Sequence, residues 1–236
     1  MKRLLLALLT VVLLCSCSTQ KVNIDNADDV KINKLAIDEP IFSDFEFPDV
    51  VSDLAIEDFL LPFDKFSWER EFDIEYVVVH FTSDVVSNRK NPYDMERNKQ
   101  IFIDAEVSVH YIIDREGVIR CFIPENYAAW HAGRGTFAND EKYTNKMNKY
   151  SIGIELLAIG SQSDMSIYLT PAEYRSLDKE LIGYTDLQYV SLKKLLKDIC
   201  QRNNIPYDRN HIIGHEDYSP HKTDPGELFD WNIIFE

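Results

Sequence analysis

The sequence predicts one α/β (α+β) domain, a central mixed β-sheet flanked by helices, preceded by a signal peptide and an acidic tether. Three observations predict it. Continuous β-rich apolar runs at Tyr76 to Val79, Val107 to Ile113, Val118 to Ile123 and Ser151 to Leu157 have the pattern of strands buried on both faces. Helix-start signals interleave with them. Thr170-Pro171-Ala172-Glu173 places proline at a first helical position, and Thr185-Asp186-Leu187-Gln188 is a capping box ahead of Leu192, Leu195, Leu196 and Ile199 at helical spacing. Finally, Asp114-Arg115-Glu116-Gly117 separates the second and third runs with a glycine free to take positive φ, which predicts a hairpin.

The 236 residues, 45% apolar and 28% charged, suffice for a buried core. The longest apolar run, Leu4 to Leu14, is too short to span a bilayer, so no integral membrane protein is expected. A net charge of −15 argues against a nucleic-acid partner, because phosphate binding needs a basic face. The acidity is uneven: Ser18 to Glu75 carries −11 and the remainder from Tyr76 carries −6, marking a boundary near residue 75.

Lys2 and Arg3 followed by the apolar run form an export signal over residues 1–16. Leu14-Cys15-Ser16-Cys17 resembles the bacterial lipobox, which implies that Cys17 becomes a lipidated mature N-terminus and that the exported protein is anchored to a membrane by acyl chains such as palmitate. Ser18, where inner-membrane retention uses Asp, favours an outer membrane and a periplasm-facing protein. Residues 17–62 lack glycine, carry Pro40 and Pro48 and are read as an acidic tether, although Ile41, Phe42, Phe45 and Phe47 offer contacts to the body. The domain proper is then 63–236, expected as a monomer. Of its cysteines, Cys121 falls in a strand pattern and Cys200 on an apolar helix face; a disulfide and two buried thiols are both compatible with that.

His80 closes the first buried run, at a strand end where sites in sheet proteins gather. His215 follows another short apolar run, and a stiff Pro-containing loop returns the chain to Asp224 nine residues later. Two imidazoles and one carboxylate are the ligand set of a catalytic zinc with one position left for water. Such a centre needs a general base, and Glu155 interrupts an apolar strand where an unpaired carboxylate is costly to bury. A salt-bridge partner is the alternative reading of that glutamate.

From about Tyr76 to Trp231, roughly two thirds of the chain, the sequence resembles the zinc-dependent N-acetylmuramoyl-L-alanine amidases of type 2, relatives of the peptidoglycan recognition proteins. The resemblance rests on Val79-His80-Phe81-Thr82, Val107-Ser108-Val109-His110-Tyr111 with the Asp-Arg-Glu-Gly turn, and Ala129-Trp130-His131-Ala132-Gly133. It continues through Asn148, Ser151-Ile152-Gly153-Ile154-Glu155, Gly214-His215, Lys222-Thr223-Asp224-Pro225-Gly226 and Phe229-Asp230-Trp231. It implies zinc held by His80, His215 and Asp224, acid–base catalysis by Glu155, support of a developing oxyanion by Lys222, and a substrate groove beside Trp130 and His131. The substrate would be peptidoglycan or its muropeptides, cut between N-acetylmuramic acid and L-alanine. Pro220-His221-Lys222 departs from the longer loop of many relatives and leaves His221 near the site, while His110 and His211 are read as structural. A non-catalytic peptidoglycan-binding module is the alternative, but relatives without activity typically lack a ligand that this chain retains. A cysteine-nucleophile hydrolase has little support, since no motif activates Cys121 or Cys200.

Overall fold

The computed structural model describes residues 54–236; the leader, the lipobox with Cys17 and the tether as far as Asp53 lie outside the described residues. Eight strands are assigned in chain order: β1 Ile56–Asp58, β2 Ser67–Glu69, β3 Tyr76–Thr82, β4 Tyr111–Ile113, β5 Ile119–Cys121, β6 Tyr127–Ala129, β7 Ser151–Leu157 and β8 Ile212–Gly214. Six α-helices accompany them: α1 Phe63–Phe66, α2 Met95–Ala105, α3 Pro171–Arg175, α4 Asp186–Asn203, α5 His215–Tyr218 and α6 Trp231–Phe235. Six strands form the central sheet in the order β1-β5-β4-β7-β3-β8, while β2 and β6 make a separate antiparallel pair.

The sheet is mixed as expected. The β4–β5 hairpin is antiparallel, and β4, β7, β3 and β8 run parallel. Strands β3 and β7 are the long central pair, and their near-continuous Val, Ile and Leu content follows from burial on both faces. On one face Val77, Val79, Ile152, Ile154 and Leu156 pack against Leu192, Leu195, Leu196 and Ile199 of α4. The opposite face of the same strands carries Tyr76 and Val78 against Ala132, Tyr143, Met147 and Tyr218.

Local signals explain the boundaries. Thr185 caps α4 by accepting from the Gln188 amide, and the buried Gln188 side chain donates to the Ile113 and Leu157 carbonyls, so one capping box also ties α4 to the ends of β4 and β7. Thr170 and Glu173 make the same box at α3. In the hairpin turn Asp114 accepts from the Glu116 and Val118 amides and Gly117 sits at φ +79°. The run starting at Val107 yields a strand only from Tyr111. Before it, the Ser108 hydroxyl donates to the Phe66 carbonyl, and His110 Nδ1 accepts from the Gly153 amide, so side chains take over part of the ladder's bonding.

The boundary expected at residue 62 falls too late. Strand β1 pairs in parallel with β5, the Phe59 and Leu61 amides extend that pairing to the Cys121 and Phe122 carbonyls, and Leu61 is 2% exposed in a cluster with Phe66, Phe122 and Ile123. The consecutive acidic residues Glu57 and Asp58 made this edge strand read as tether. Leu61→Ala is expected to destabilise the domain by about 2–4 kcal/mol, as for other buried leucines, and a thermal melt reads it. A drop of a few tenths would return this segment to the tether.

Candidate active site

The site forms where the parallel strands end. Register places His80 of β3 beside Glu155 of β7, and Val79 beside Gly214 of β8, so that His215 opens α5 next to His80. Side chains alternate across a strand, and His80, Glu155 and Gly153 therefore share the face away from α4. Asp224 arrives from the loop after α5, whose backbone is tied back by the Glu216 amide donating to the Asp224 carbonyl at 3.0 Å.

His80 Nδ1 and His215 Nδ1 lie 3.0 Å apart, and Asp224 Oδ2 lies 2.8 Å from the first and 2.9 Å from the second. Both histidines are buried. Burial first, and the neighbouring His215 second, lower the His80 pKa to about 4, so its imidazole is neutral near neutral pH. Among the described residues this trio is the cluster of ligating groups able to hold a metal ion, its ligand atoms all within 4.8 Å of one another. His215 Nε2 faces the Ala132 carbonyl at 3.0 Å and donates to it, which leaves the Nδ1 lone pair directed at the trio. The donor chemistry therefore suits a cation: imidazole nitrogens and a carboxylate oxygen converge on one point.

Glu155 stands beside the trio. One of its carboxylate oxygens is buried without a hydrogen-bond partner among the described residues. Burial raises its pKa well above the ordinary carboxylate value, Asp224 adds to the rise, and the Lys222 charge opposes it. A native structure that tolerates such a group in a strand points to a proton-transfer role. Lys222 is exposed on the Asp224 loop, and its charge is felt by His80 as well as Glu155. His221, also exposed, is not in the ligating cluster.

Trp130 is 48% exposed and packs against Trp68 at a ring separation of 4.2 Å. Its partner was not foreseen, because Trp68 reaches it through the β2–β6 pair, distant in sequence. His131 is half-buried and reaches the metal-site histidine. Its Nδ1 is 3.1 Å from His80 Nε2, behind the ligand. His110 is fully buried between Gly153 and Tyr127, with Nδ1 accepting from the former's amide and Nε2 against the latter's carbonyl, and His211 pairs with Asp208 at the surface. Cys121 and Cys200 are both unpaired, and burial pushes their thiols up to about 12 and about 11, which removes a thiolate nucleophile from consideration.

The Asp224 loop has supports that no sequence pattern announces. Buried Asp164 accepts from the Ser161 amide at 2.8 Å and the Glu227 amide at 3.3 Å, and the Tyr184 hydroxyl donates to the Pro225 carbonyl at 2.6 Å. Gly226, at φ +77°, leaves room for that carboxylate, since a Cβ there would stand 2.6 Å from Asp164 Oδ2.

A sequence profile of the family described as N-acetylmuramoyl-L-alanine amidase (Amidase_2) matches residues 70–227. The chain belongs to this family. The amidase is thus a hydrolase acting in peptidoglycan catabolism. It is 30% identical over 172 residues to the 1,6-anhydro-N-acetylmuramyl-L-alanine amidase AmpD of Haemophilus influenzae, covering 67% of this chain and 79% of that one. Against AmpD of Escherichia coli K12 the identity is 32% over 126 residues, spanning 53% of this chain and about half of the relative, 55%. Among solved structures, AmiD of E. coli in complex with anhydro-N-acetylmuramic acid-L-Ala-D-gamma-Glu-L-Lys is 27% identical at a TM-score of 0.52, covering 69% of this chain and 56% of that one. An AmpD crystal structure, 24% identical at a TM-score of 0.52, shares the fold over 76% of this chain and 92% of its own.

Proposed function

We propose that this peptidoglycan amidase hydrolyses the amide between N-acetylmuramic acid and L-alanine with a zinc ion held by His80, His215 and Asp224. The observation that carries the reading is the convergence of three ligand atoms within 4.8 Å beside a buried, unpartnered carboxylate oxygen of Glu155. Zinc bound there would polarise the scissile carbonyl and lower the pKa of a water toward 7. Glu155 accepts the proton of the attacking water and returns it to the leaving amine, a cycle that suits a carboxyl whose pKa lies above its ordinary value. Lys222 places its ammonium toward the negative charge that builds on the carbonyl oxygen. Trp130 offers an exposed ring face for the substrate.

Muramyl peptides in the 1,6-anhydro form are the proposed substrates, supported by the activity in the AmpD names and the ligand of the AmiD complex. Incubation with sacculi and with anhydro-muropeptides in parallel, followed by mass analysis, tests this. A free stem peptide beginning with L-alanine, together with a peptide-free muramyl product, is expected. Intact substrate in both arms overturns the reading.

Export and anchoring through a lipid on Cys17 belong to the same proposal. They rest on the leader and the lipobox-like Leu14-Cys15-Ser16-Cys17, which lie outside the described residues. Cys17→Ala is expected to move the protein from the membrane to the soluble fraction with its specific activity unchanged, because acyl chains supply the membrane affinity and the folded body supplies the chemistry. Continued sedimentation of that variant with membranes would exclude the anchor.

A further inference from the structure

We propose that His131 is the positioning residue of the metal site: it accepts the Nε2 proton of His80, fixing the tautomer whose Nδ1 is free to bind a metal, and is itself oriented by Ser151. The inference rests on the metal reading above and goes beyond the groove role that the sequence motif implied for His131.

The proton positions follow from the bonding. Ser151 Oγ has one proton and sits 2.7 Å from the Met147 carbonyl, which can only accept. Toward His131 Nε2, 3.2 Å away, the hydroxyl oxygen must therefore accept, so the ring proton of His131 is on Nε2. A neutral imidazole carries one such proton, which leaves Nδ1 as an acceptor 3.1 Å from His80 Nε2. His80 fills that acceptor with its own Nε2 proton, and its Nδ1 lone pair is left facing His215 Nδ1 and Asp224 Oδ2. The two ligands are thus set by different means. A backbone carbonyl holds His215, and a side-chain relay holds His80.

The surroundings are built for this ring. Residue 153 is glycine, and a Cβ there would approach His131 Cγ to 2.5 Å and Nδ1 to 2.7 Å. Asn148 Oδ1 accepts from the amides of His131 at 3.1 Å and Ala132 at 2.7 Å, so one clamp places both the relay and the carbonyl that holds His215. The rings of His80 and His131 meet edge to face at 86°, with centroids 5.2 Å apart. Partners of this kind behind a ligating histidine raise metal affinity by fixing ring orientation and basicity.

The test is zinc affinity of the whole chain, measured by competition with a chromophoric chelator. His131→Leu, which removes the acceptor, is expected to weaken zinc binding by roughly 10- to 100-fold. His131→Asn, whose Oδ1 stands near the place of Nδ1, is expected to restore most of the loss. Equal affinity in wild type and His131→Leu, or an Asn variant as weak as the Leu variant, overturns the relay. Long-range proton–nitrogen NMR on the zinc-loaded wild type gives an answer even where His131→Leu fails to fold. A proton on His131 Nε2 is expected, and a proton on its Nδ1 overturns the proposal. A wild-type chain that binds no zinc overturns the metal reading and the relay with it, whereas zinc binding that ignores His131 overturns the relay alone.

Discussion

Alanine in place of His80, His215 or Asp224 is expected to abolish zinc binding and turnover together. Each residue supplies one of the three ligand atoms that meet within 4.8 Å. With one removed, the remaining pair holds zinc too weakly to survive dialysis, and the open position from which a water would act is no longer defined. Because binding energy at such a site is also folding energy, the variants should gain little thermal stability from added zinc, where the wild type gains a measurable shift. Metal analysis after dialysis, a rate on muropeptide and a melting curve with and without zinc decide the matter. A dialysed, metal-free protein that still cleaves at full rate would sink the mechanism.

Glu155→Gln is expected to keep its zinc and lose roughly 10² to 10⁴ in rate, the range in which general acid–base groups contribute. The amide preserves size and cannot carry a proton. Its neutrality suits the buried site, since the carboxylate oxygen it replaces already lacks a hydrogen-bond partner among the described residues, and the domain should fold undisturbed. Lys222→Ala, by the parallel argument, retains zinc and loses roughly 10² to 10³, as for removal of one oxyanion donor. The informative outcome is the contrast between the two sets of variants. Ligand variants lose metal and rate in step, while Glu155→Gln and Lys222→Ala lose rate alone. Near wild-type turnover in Glu155→Gln would transfer the proton role to another group, and the exposed His221 on the neighbouring loop is then the residue to replace.

Elements whose stability is decided locally were legible. The capping boxes at Thr170 and Thr185, the Asp114 to Gly117 turn and the long buried strands β3 and β7 each satisfy their own backbone groups or bury their own apolar runs. Three-residue edge strands were not. Ile56–Asp58 is one apolar residue followed by two acidic ones within an acidic segment, and what makes it a strand is the β5 edge that it meets. Trp68 likewise gives no sign of its partner Trp130, because their contact depends on the pairing of β2 with β6.

From its residues alone, this protein had a mixed sheet with helices, a family resemblance and the residue types suited to a zinc amidase, because spacing, caps and motif chemistry are written along the chain. Only the tertiary structure decided which groups face one another. It set His80 beside Glu155 through parallel register and brought Asp224 back to both histidines on a loop braced by Asp164 and Tyr184. It also brought His131 within hydrogen-bond distance of His80. The shared Trp-His motif, just past the end of β6, said that both matter and could not say what each side chain meets. In the folded chain Trp130 meets Trp68, and His131 meets His80 and Ser151 in space that Gly153 leaves open.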